Sequence, residues 1–246
     1  MVIVDKEPVI RVGLMSGVRE ARFVLLGSFT SGDGAILTEG AYTASAESGA
    51  VKLQGENAVT ASVIKLTPAD SESCRFTVHG IRIGLNFHWE REESQQFQGD
   101  LIIEAGGDGL VVINQLPLES YLVSVISSEM SASCPAELLR THAIVSRSWL
   151  LAQLISEKDG AASRASSQSV AEFQNEREII RWYDRQSHDG FDVCADDHCQ
   201  RYQGIGKAFS RSALRGKPHA RQSAGVRRRD LRCTLLEELR RNDGNL

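Results

Sequence analysis

Short apolar runs separated by glycine-containing turns fill residues 8–113, and they constrain the fold more than any other feature of the chain. The runs alternate in polarity or are rich in β-branched side chains, which favours strands over helices. Turn signals occur at 32–34 and 106–109. The clearest runs are 9–13, 22–26, 62–66, 81–85, 101–103 and 110–113. We therefore predict a β-rich N-terminal domain over residues 8–113.

The periodicity changes at Leu116, where apolar residues begin to recur with helical spacing. Pro117 suits a first helical position, so we predict a helix that runs to about Met130. A second helix is predicted from Pro135, because a carboxylate in its first turn favours the helix dipole. Its stop is expected at 158–160, where a glycine follows two charged residues. The two helices are expected to form a helical hairpin.

Composition sets further limits on the chain. Its 246 residues are 41% hydrophobic, enough to bury a core and to exclude disorder throughout. The five cysteines are too few and too unevenly spread for a disulfide framework. The chain has neither an 18-residue apolar run nor a secretory signal at its start, so we expect no transmembrane segment. As given, it indicates a cytoplasmic protein or one whose true start lies upstream, which leaves its localisation open.

Two segments stand apart in composition. Residues 161–177 are rich in Ala, Ser, Gln and Glu, and we expect a solvent-exposed polar insertion there. From Lys207 onward the chain has 11 basic and 4 acidic residues, a net charge of +7, whereas residues 1–206 carry −11. The tail therefore differs in kind from the rest of the chain.

The densest group of potential metal ligands lies at 188–199, where two thiols and two imidazoles occur within twelve residues. Zinc selects thiolates and imidazoles, and three protein ligands leave a fourth position for water. The candidate ligands are His188, Cys194 and Cys199. The alternative is two free cysteines beside a surface histidine. The absence of a Pro-Cys-x-x-Cys segment argues against a zinc deaminase.

Two glutamates of the predicted first helix, Glu119 and Glu129, are candidates for acid–base chemistry. Ten residues of helix separate them by about 15 Å, too far for paired carboxylates on one glycosidic bond. Glu129 lies at the helix end and can project into a groove, although an exposed glutamate without a role is the alternative. On the second helix, His142 is either a catalytic base or a packed core histidine. Arg147 has the reach to pair with either glutamate, and a solvent-exposed arginine is the alternative.

Three segments, in order, resemble the SpoIID/LytB family of bacterial cell-wall proteins. They read LPLESYL followed by SEM within 116–130, AELLRTHAIVSRSW at 136–149, and FDVC followed by HCQRYQG within 191–204. The family usually has glutamine where His142 stands. Residues 86–91, NFHWER, look typical of the branch found in Bacteroidota. The resemblance covers about residues 8–207.

The resemblance implies an α+β fold, in which a β-rich N-terminal region precedes the helical hairpin and a mixed α/β catalytic-type domain at 114–207. The implied activity is lytic cleavage of peptidoglycan glycan strands at N-acetylmuramic acid, giving 1,6-anhydro ends, with Glu129 as acid and base. The LytB-type alternative is a non-catalytic enhancer of a wall amidase. The family zinc site maps onto His188, Cys194 and Cys199. Expected partners are glycan strands and, in the alternative, the amidase, with no nucleic acid.

The tail at 208–246 does not resemble the family, whose members continue with strands and a Gly-Gly-x-Thr-Glu motif. Residues 227–245, back-translated with permitted codons and read in a neighbouring frame, yield GEICDARYSKSCGGMTET, which is similar to the missing segment. We therefore expect a frameshift near Phe209 that truncates the domain at its C-terminal strands. A genuine basic tail that binds an anionic polymer is the alternative. Resequencing the gene through this region distinguishes the two.

Overall fold

The computed structural model describes residues 7–55, 59–85, 88–131, 134–163, 172–175, 178–181, 188 and 190–206. The helices are α1 (Leu118–Glu129) and α2 (Ala136–Ser163). The strands are β1 (Val9–Val18), β2 (Glu20–Leu26), β3 (Phe29–Ser31), β4 (Ile36–Leu37), β5 (Gly40–Glu47), β6 (Ala50–Gln54), β7 (Val59–Ala61), β8 (Val63–Pro68), β9 (Arg75–Ile83), β10 (Arg91–Phe97), β11 (Asp100–Gly106), β12 (Gly109–Pro117), β13 (Glu172–Asn175), β14 (Glu178–Arg181) and β15 (Val193–Cys194). The predicted α+β class with a β-rich N-terminal region is confirmed.

Two large sheets form the β-rich part. One has the order β15-β1-β12-β11-β8-β3-β4 and the other β10-β9-β2-β5-β6-β7. Neighbouring strands are antiparallel except for β15, which pairs in parallel with β1 through Val12 and Val193. This parallel pair brings the segment after residue 190 back to the start of the sheet.

Alternation of buried and exposed side chains determines which face of each strand enters the core. On β2, Ala21, Phe23 and Leu25 are buried while their neighbours are more exposed. On β9 the buried positions change from even to odd numbers after Gly80, whose φ is 73°. The opposite strand β10 has a register shift at this level, so the glycine marks a β-bulge that lets both halves of β9 bury their apolar residues.

A column of aromatic rings joins the strands to α1. Its successive centroid separations are 6.4, 5.5, 5.8 and 5.2 Å, and its members in order are Phe29, Phe76, Phe97, Tyr202 and Tyr121. Tyr121 lies on α1, so the core continues from the N-terminal strands into the helix. The predicted domain boundary between residues 113 and 114 stays a prediction, and β12 runs across that position.

The helical hairpin begins and ends close to the predicted positions. Pro117, with φ −61°, precedes α1, and α1 ends at Glu129. Ile126 packs with Leu139 and Ala143 of α2 in a small apolar cluster between the helices. Helix α2 continues to Ser163, beyond the stop expected at 158–160, because that glycine is accommodated within the helix.

Parts of two predicted segments lie outside the described residues. In the predicted insertion at 161–177, the structure describes only the end of α2 and strand β13, which pairs with β14. The tail at 208–246, with its predicted frameshift, lies wholly outside them. Among the residues that are described, no helix is long and apolar enough to cross a membrane.

Candidate active site and metal centre

Glu129 is the last residue of α1, and its side chain is 28% exposed. Each carboxylate oxygen accepts one hydrogen bond from a described residue. The backbone N–H of Arg201 donates to Oε1 at 3.0 Å, and Nε2 of His142 lies 2.8 Å from Oε2. The carboxyl group is therefore fixed in orientation and still reachable from solvent.

His142 lies on α2, the helix that packs beside α1, and its side chain is only 14% exposed. Its Nε2 is also 3.5 Å from the hydroxyl of Ser146. Its Nδ1 is buried and has no hydrogen-bond partner among the described residues. The two expectations for this residue were a catalytic base and a packed histidine. The structure places it in contact with the candidate acid.

Glu119 is engaged elsewhere in the structure. Arg147 forms a bidentate ion pair with it, with Nη2–Oε2 at 2.7 Å and Nε–Oε1 at 3.1 Å. The side chains are 8% exposed for Arg147 and 16% for Glu119. Of the two glutamates within its expected reach, Arg147 therefore pairs with Glu119 and joins the start of α1 to α2.

The metal-ligand cluster comes together as a compact group of four side chains. The donor atoms of His188, Cys194, His198 and Cys199 all lie within 4.8 Å of one another. Individual separations are 3.1 Å between His188 Nε2 and Cys199 Sγ, and 3.7 Å between Cys194 Sγ and His198 Nδ1. Bond lengths of about 2.0–2.3 Å in a tetrahedral zinc site separate ligand atoms by similar distances. These residues therefore fit a four-coordinate metal.

Two protonation equilibria in this cluster favour metal-binding forms. Neighbouring groups lower the pKa of the Cys194 thiol from 9.0 to about 5, and the hydrogen bond with Cys199 makes the largest contribution. The lowered pKa favours the thiolate. Burial lowers the pKa of His188 below 6.5, which favours the neutral imidazole. Metal binding requires a thiolate and a neutral imidazole.

The cluster is supported by the first strand of the sheet. The carboxylate of Asp192 accepts a hydrogen bond from the backbone N–H of Arg11 at 2.7 Å, next to the β1–β15 pair. The ring of Phe191 stacks on His188 with centroids 4.8 Å apart. A Cβ at Gly13 would lie 2.6 Å from the Phe191 ring, so glycine is required to leave room for that ring.

The loop that carries the cluster also contacts the turn after β9. Both oxygens of Asp196 accept backbone hydrogen bonds, from the N–H of Gly84 at 2.9 Å and of Leu85 at 3.0 Å. These bonds join the loop to the end of β9.

Arg201 connects the same loop to the acid. Its guanidinium donates two hydrogen bonds to Asp197, at 2.7 and 2.8 Å. These hydrogen bonds lower the pKa of the Asp197 carboxyl. The guanidinium also lies 5.6 Å from the ring centroid of Trp89. Its backbone N–H holds Glu129.

Tyr121 is a buried residue of α1 that interacts electrostatically with both centres. Its side chain is fully buried, and its hydroxyl has no hydrogen-bond partner among the described residues. Burial raises the pKa of this phenol well above 10.0, and the nearby charges of Cys199, Cys194 and Glu129 raise it further. The phenol is therefore close enough to be influenced by the charges of both the acid and the metal cluster.

Sequence reasoning left two contributors out of the site. His198 was absent from the expected ligand set, although an imidazole next to Cys199 is a signal that could have included it. Arg201 acts on Glu129 through its main chain, and no side-chain pattern can reveal a backbone donor. The assignment of Glu129, Glu119, Arg147, His142, His188, Cys194 and Cys199 to functional roles stays a prediction.

Comparisons with known proteins place the site in a family. Residues 106–227 match the family model described as SpoIID, stage II sporulation protein. An uncharacterized protein of Brachyspira hyodysenteriae (strain ATCC 49526 / WA1) is 23% identical over 94 residues. That match covers 38% of this chain and 26% of the relative, so it spans about a quarter of the relative's length. No solved structure matches the chain.

The family match includes α1, α2 and the loop with the four potential ligands. It ends at residue 227, within the tail at 208–246 that was expected not to resemble the family. The resemblance to a Bacteroidota branch stays a prediction. The match supports a sporulation-related role at the cell wall. Through this domain, the chain belongs to the SpoIID/LytB family.

Proposed function

We propose that this chain is a peptidoglycan lytic transglycosylase, with Glu129 as general acid and base. The observation that carries the proposal is the environment of this carboxyl. It is partly exposed, each oxygen has one hydrogen-bond partner, and no lysine or arginine side chain among the described residues pairs with it. A fixed, accessible carboxyl without a cationic partner is suited to transferring protons.

One carboxyl suffices for the proposed reaction. Protonated Glu129 donates its proton to the glycosidic oxygen as the bond from C1 of N-acetylmuramic acid to that oxygen breaks. The sugar's own 6-hydroxyl oxygen bonds to C1, and the Glu129 carboxylate accepts the hydroxyl proton. The products are a free hydroxyl and a 1,6-anhydro end, and the acid is regenerated. No water is consumed, so the second carboxylate of ordinary glycosidases is unnecessary.

Nearby carboxylates are committed to structural contacts, which supports a single acid. Glu119 pairs with Arg147, and Asp197 pairs with Arg201. Asp196 accepts two backbone N–H bonds at the end of β9. We therefore assign proton transfer to Glu129, and a structural role to Glu119 and Arg147.

We further propose that the four-residue cluster binds zinc. His188, Cys194, His198 and Cys199 would hold it, and with four protein ligands no position stays open for a reactive water. When bound, zinc supplies a structural cross-link within the loop rather than a reacting group. The loop then holds the N–H of Arg201 against Glu129.

The test is incubation of the purified chain with peptide-free glycan strands, followed by mass analysis for 1,6-anhydro ends. We expect such ends from the wild type and none from Glu129→Gln, which keeps size and polarity but has no acidic proton. Glu137→Gln changes an exposed glutamate paired with Arg140 and is the matched control. Equal cleavage by Glu129→Gln and the wild type would contradict the assignment.

The predicted frameshift adds a second arm to this test. We propose that the tail at 208–246 is read in the wrong frame and that the chain is less active than a version with the reading frame repaired. Cleavage by the repaired version alone supports the frameshift together with the enzyme. Absence of cleavage by both, with equal stimulation of a wall amidase by wild type and Glu129→Gln, would favour the non-catalytic enhancer.

A further inference from the structure

The contact between Glu129 and His142 joins the end of α1 to the middle of α2. Its 2.8 Å separation is that of a charge-assisted hydrogen bond. The His142 side chain is largely shielded, at 14% exposed, whereas that of Glu129 is 28% exposed and reaches solvent. Shielding from water strengthens such a bond and restricts both side chains to one arrangement.

Because of its position in the helix, the Glu129 carboxylate needs hydrogen-bond donors to stabilise it. It is the C-terminal residue of α1, and the last turn of that helix contains no basic residue. A carboxylate there faces the negative end of the helix dipole. Arg201 holds one oxygen through its backbone N–H, and this bond alone leaves the carboxyl group free to rotate about that contact. The bond from His142 to the other oxygen fixes the plane of the group.

The buried Nδ1 of His142 indicates which tautomer the imidazole adopts. It has no hydrogen-bond partner among the described residues. A proton on Nδ1 would leave a buried donor unpaired, whereas a proton on Nε2 is shared with the Glu129 carboxylate. The neutral form with hydrogen on Nε2 satisfies both observations.

We infer that His142 is a positioning residue for the acid: its Nε2–H fixes the orientation of Glu129 Oε2 and so, together with the Arg201 N–H on Oε1, the plane of the carboxyl group. The catalytic part of this inference rests on the proposed function. The hydrogen bond itself does not, and it can be measured in protein that cleaves nothing.

The spectroscopic test uses protein with ¹⁵N-labelled histidine. We expect the His142 ring to give a pyrrole-like Nε2 bearing a slowly exchanging, downfield proton, and a pyridine-like Nδ1. Loss of the signals in His142→Gln assigns them. In Glu129→Gln the Nε2 proton should move upfield, because a carboxamide oxygen accepts a weaker hydrogen bond than a carboxylate. His79→Gln is the control, since that exposed histidine contacts Ser94 instead.

The kinetic test measures formation of anhydro ends. His142→Leu removes the donor and should lower kcat about 100-fold with little change in KM, because misplacing a reacting group costs about that factor. His142→Gln retains an N–H donor and should recover most of the activity. A thermal melt of each variant separates lost positioning from lost folding.

Each outcome has a distinct meaning. An Nε2 proton signal that does not respond to Glu129→Gln would overturn the pairing. A responsive signal with wild-type kcat in His142→Leu would overturn the positioning role. A responsive signal without glycan cleavage by any variant would support the pairing and count against the proposed function instead.

Discussion

The backbone N–H of Arg201 donates to Oε1 of Glu129 at 3.0 Å, although the two residues are 72 positions apart in the chain. Arg201 follows Cys199 by two residues, so any shift of the metal-binding loop reaches the carboxyl through the main chain. The candidate acid and the candidate metal centre are therefore mechanically connected without sharing a ligand.

Metal content is the most direct prediction from the cluster. We expect about one zinc per chain in protein purified without chelator. Cys194→Ser should abolish tight binding, whereas Cys134→Ser, which changes a free cysteine outside the cluster, should leave the metal content unchanged. Elemental analysis measures both. Zinc-free wild-type protein would rule out the assignment.

Loss of His198, the fourth ligand, should lower the affinity for zinc less than loss of a cysteine thiolate does. His198 is the most exposed member of the cluster, and a water can replace it. We expect His198→Ala to retain zinc with lower affinity, measured by competition with a chromogenic chelator. Equal affinities in His198→Ala and the wild type would show that only three residues bind the metal.

Stability of the metal-free protein should depend on the ionisation of Cys194. Its pKa falls from 9.0 to about 5 on folding, so the unfolded chain binds more protons between these values. The stabilising contribution is therefore complete above pH 9.0 and is lost as the pH falls toward about 5. Urea unfolding across this range should show the free energy of unfolding decreasing on acidification. The slope should be reduced in Cys194→Ser.

The Glu119–Arg147 ion pair should be important for stability. Arg147→Met leaves a mostly buried carboxylate without its partner, and breaking such a pair costs about 3–5 kcal/mol. Arg140→Met breaks the exposed pair with Glu137 on the same helix and should cost about 0–1 kcal/mol. Denaturant unfolding compares the two variants. Similar losses would contradict the difference in burial.

The lack of space for a side chain at Gly13 should make zinc binding sensitive to substitution there. In Gly13→Ala the new Cβ would meet the Phe191 ring at 2.6 Å, and overpacking of this kind costs about 1–3 kcal/mol. Because that ring stacks on His188, zinc affinity should fall as well. Gly32→Ala is the matched control, since a Cβ at that position would have no atom of the described residues within 4 Å. Combining Gly13→Ala with Phe191→Leu should restore part of the affinity.

The strands with apolar or β-branched runs were predictable, and those without them were not. β1, β2, β8, β9, β11 and β12 all overlap predicted runs. β5 was missed because it has few large side chains, although Tyr42 and Ala44 alternate into the core. β10 was missed because REESQQF is polar, as suits an edge strand that pairs on one side only.

The helices were predictable from local signals, whereas the site depends on contacts between distant segments. Helical spacing and Pro117 placed α1 correctly to within a residue or two. The approach of the cluster to β1 depends on the parallel β1–β15 pair, which is only two residues long in β15. So short a strand has no periodicity to detect. Its position is determined by the buried Val193 and by the Asp192 bond to Arg11.

The β1–β15 pair also bears on how the chain folds during synthesis. Arg11 and Asp192, which are bonded beside this pair, lie 181 positions apart. Until the later segment has left the ribosome, one side of β1 exposes unpaired backbone groups, a template for wrong pairing with another chain. A nascent chain of this protein should therefore be prone to wrong pairing at residues 11–13 of β1 until residues 192–195 emerge and cover that part of the edge.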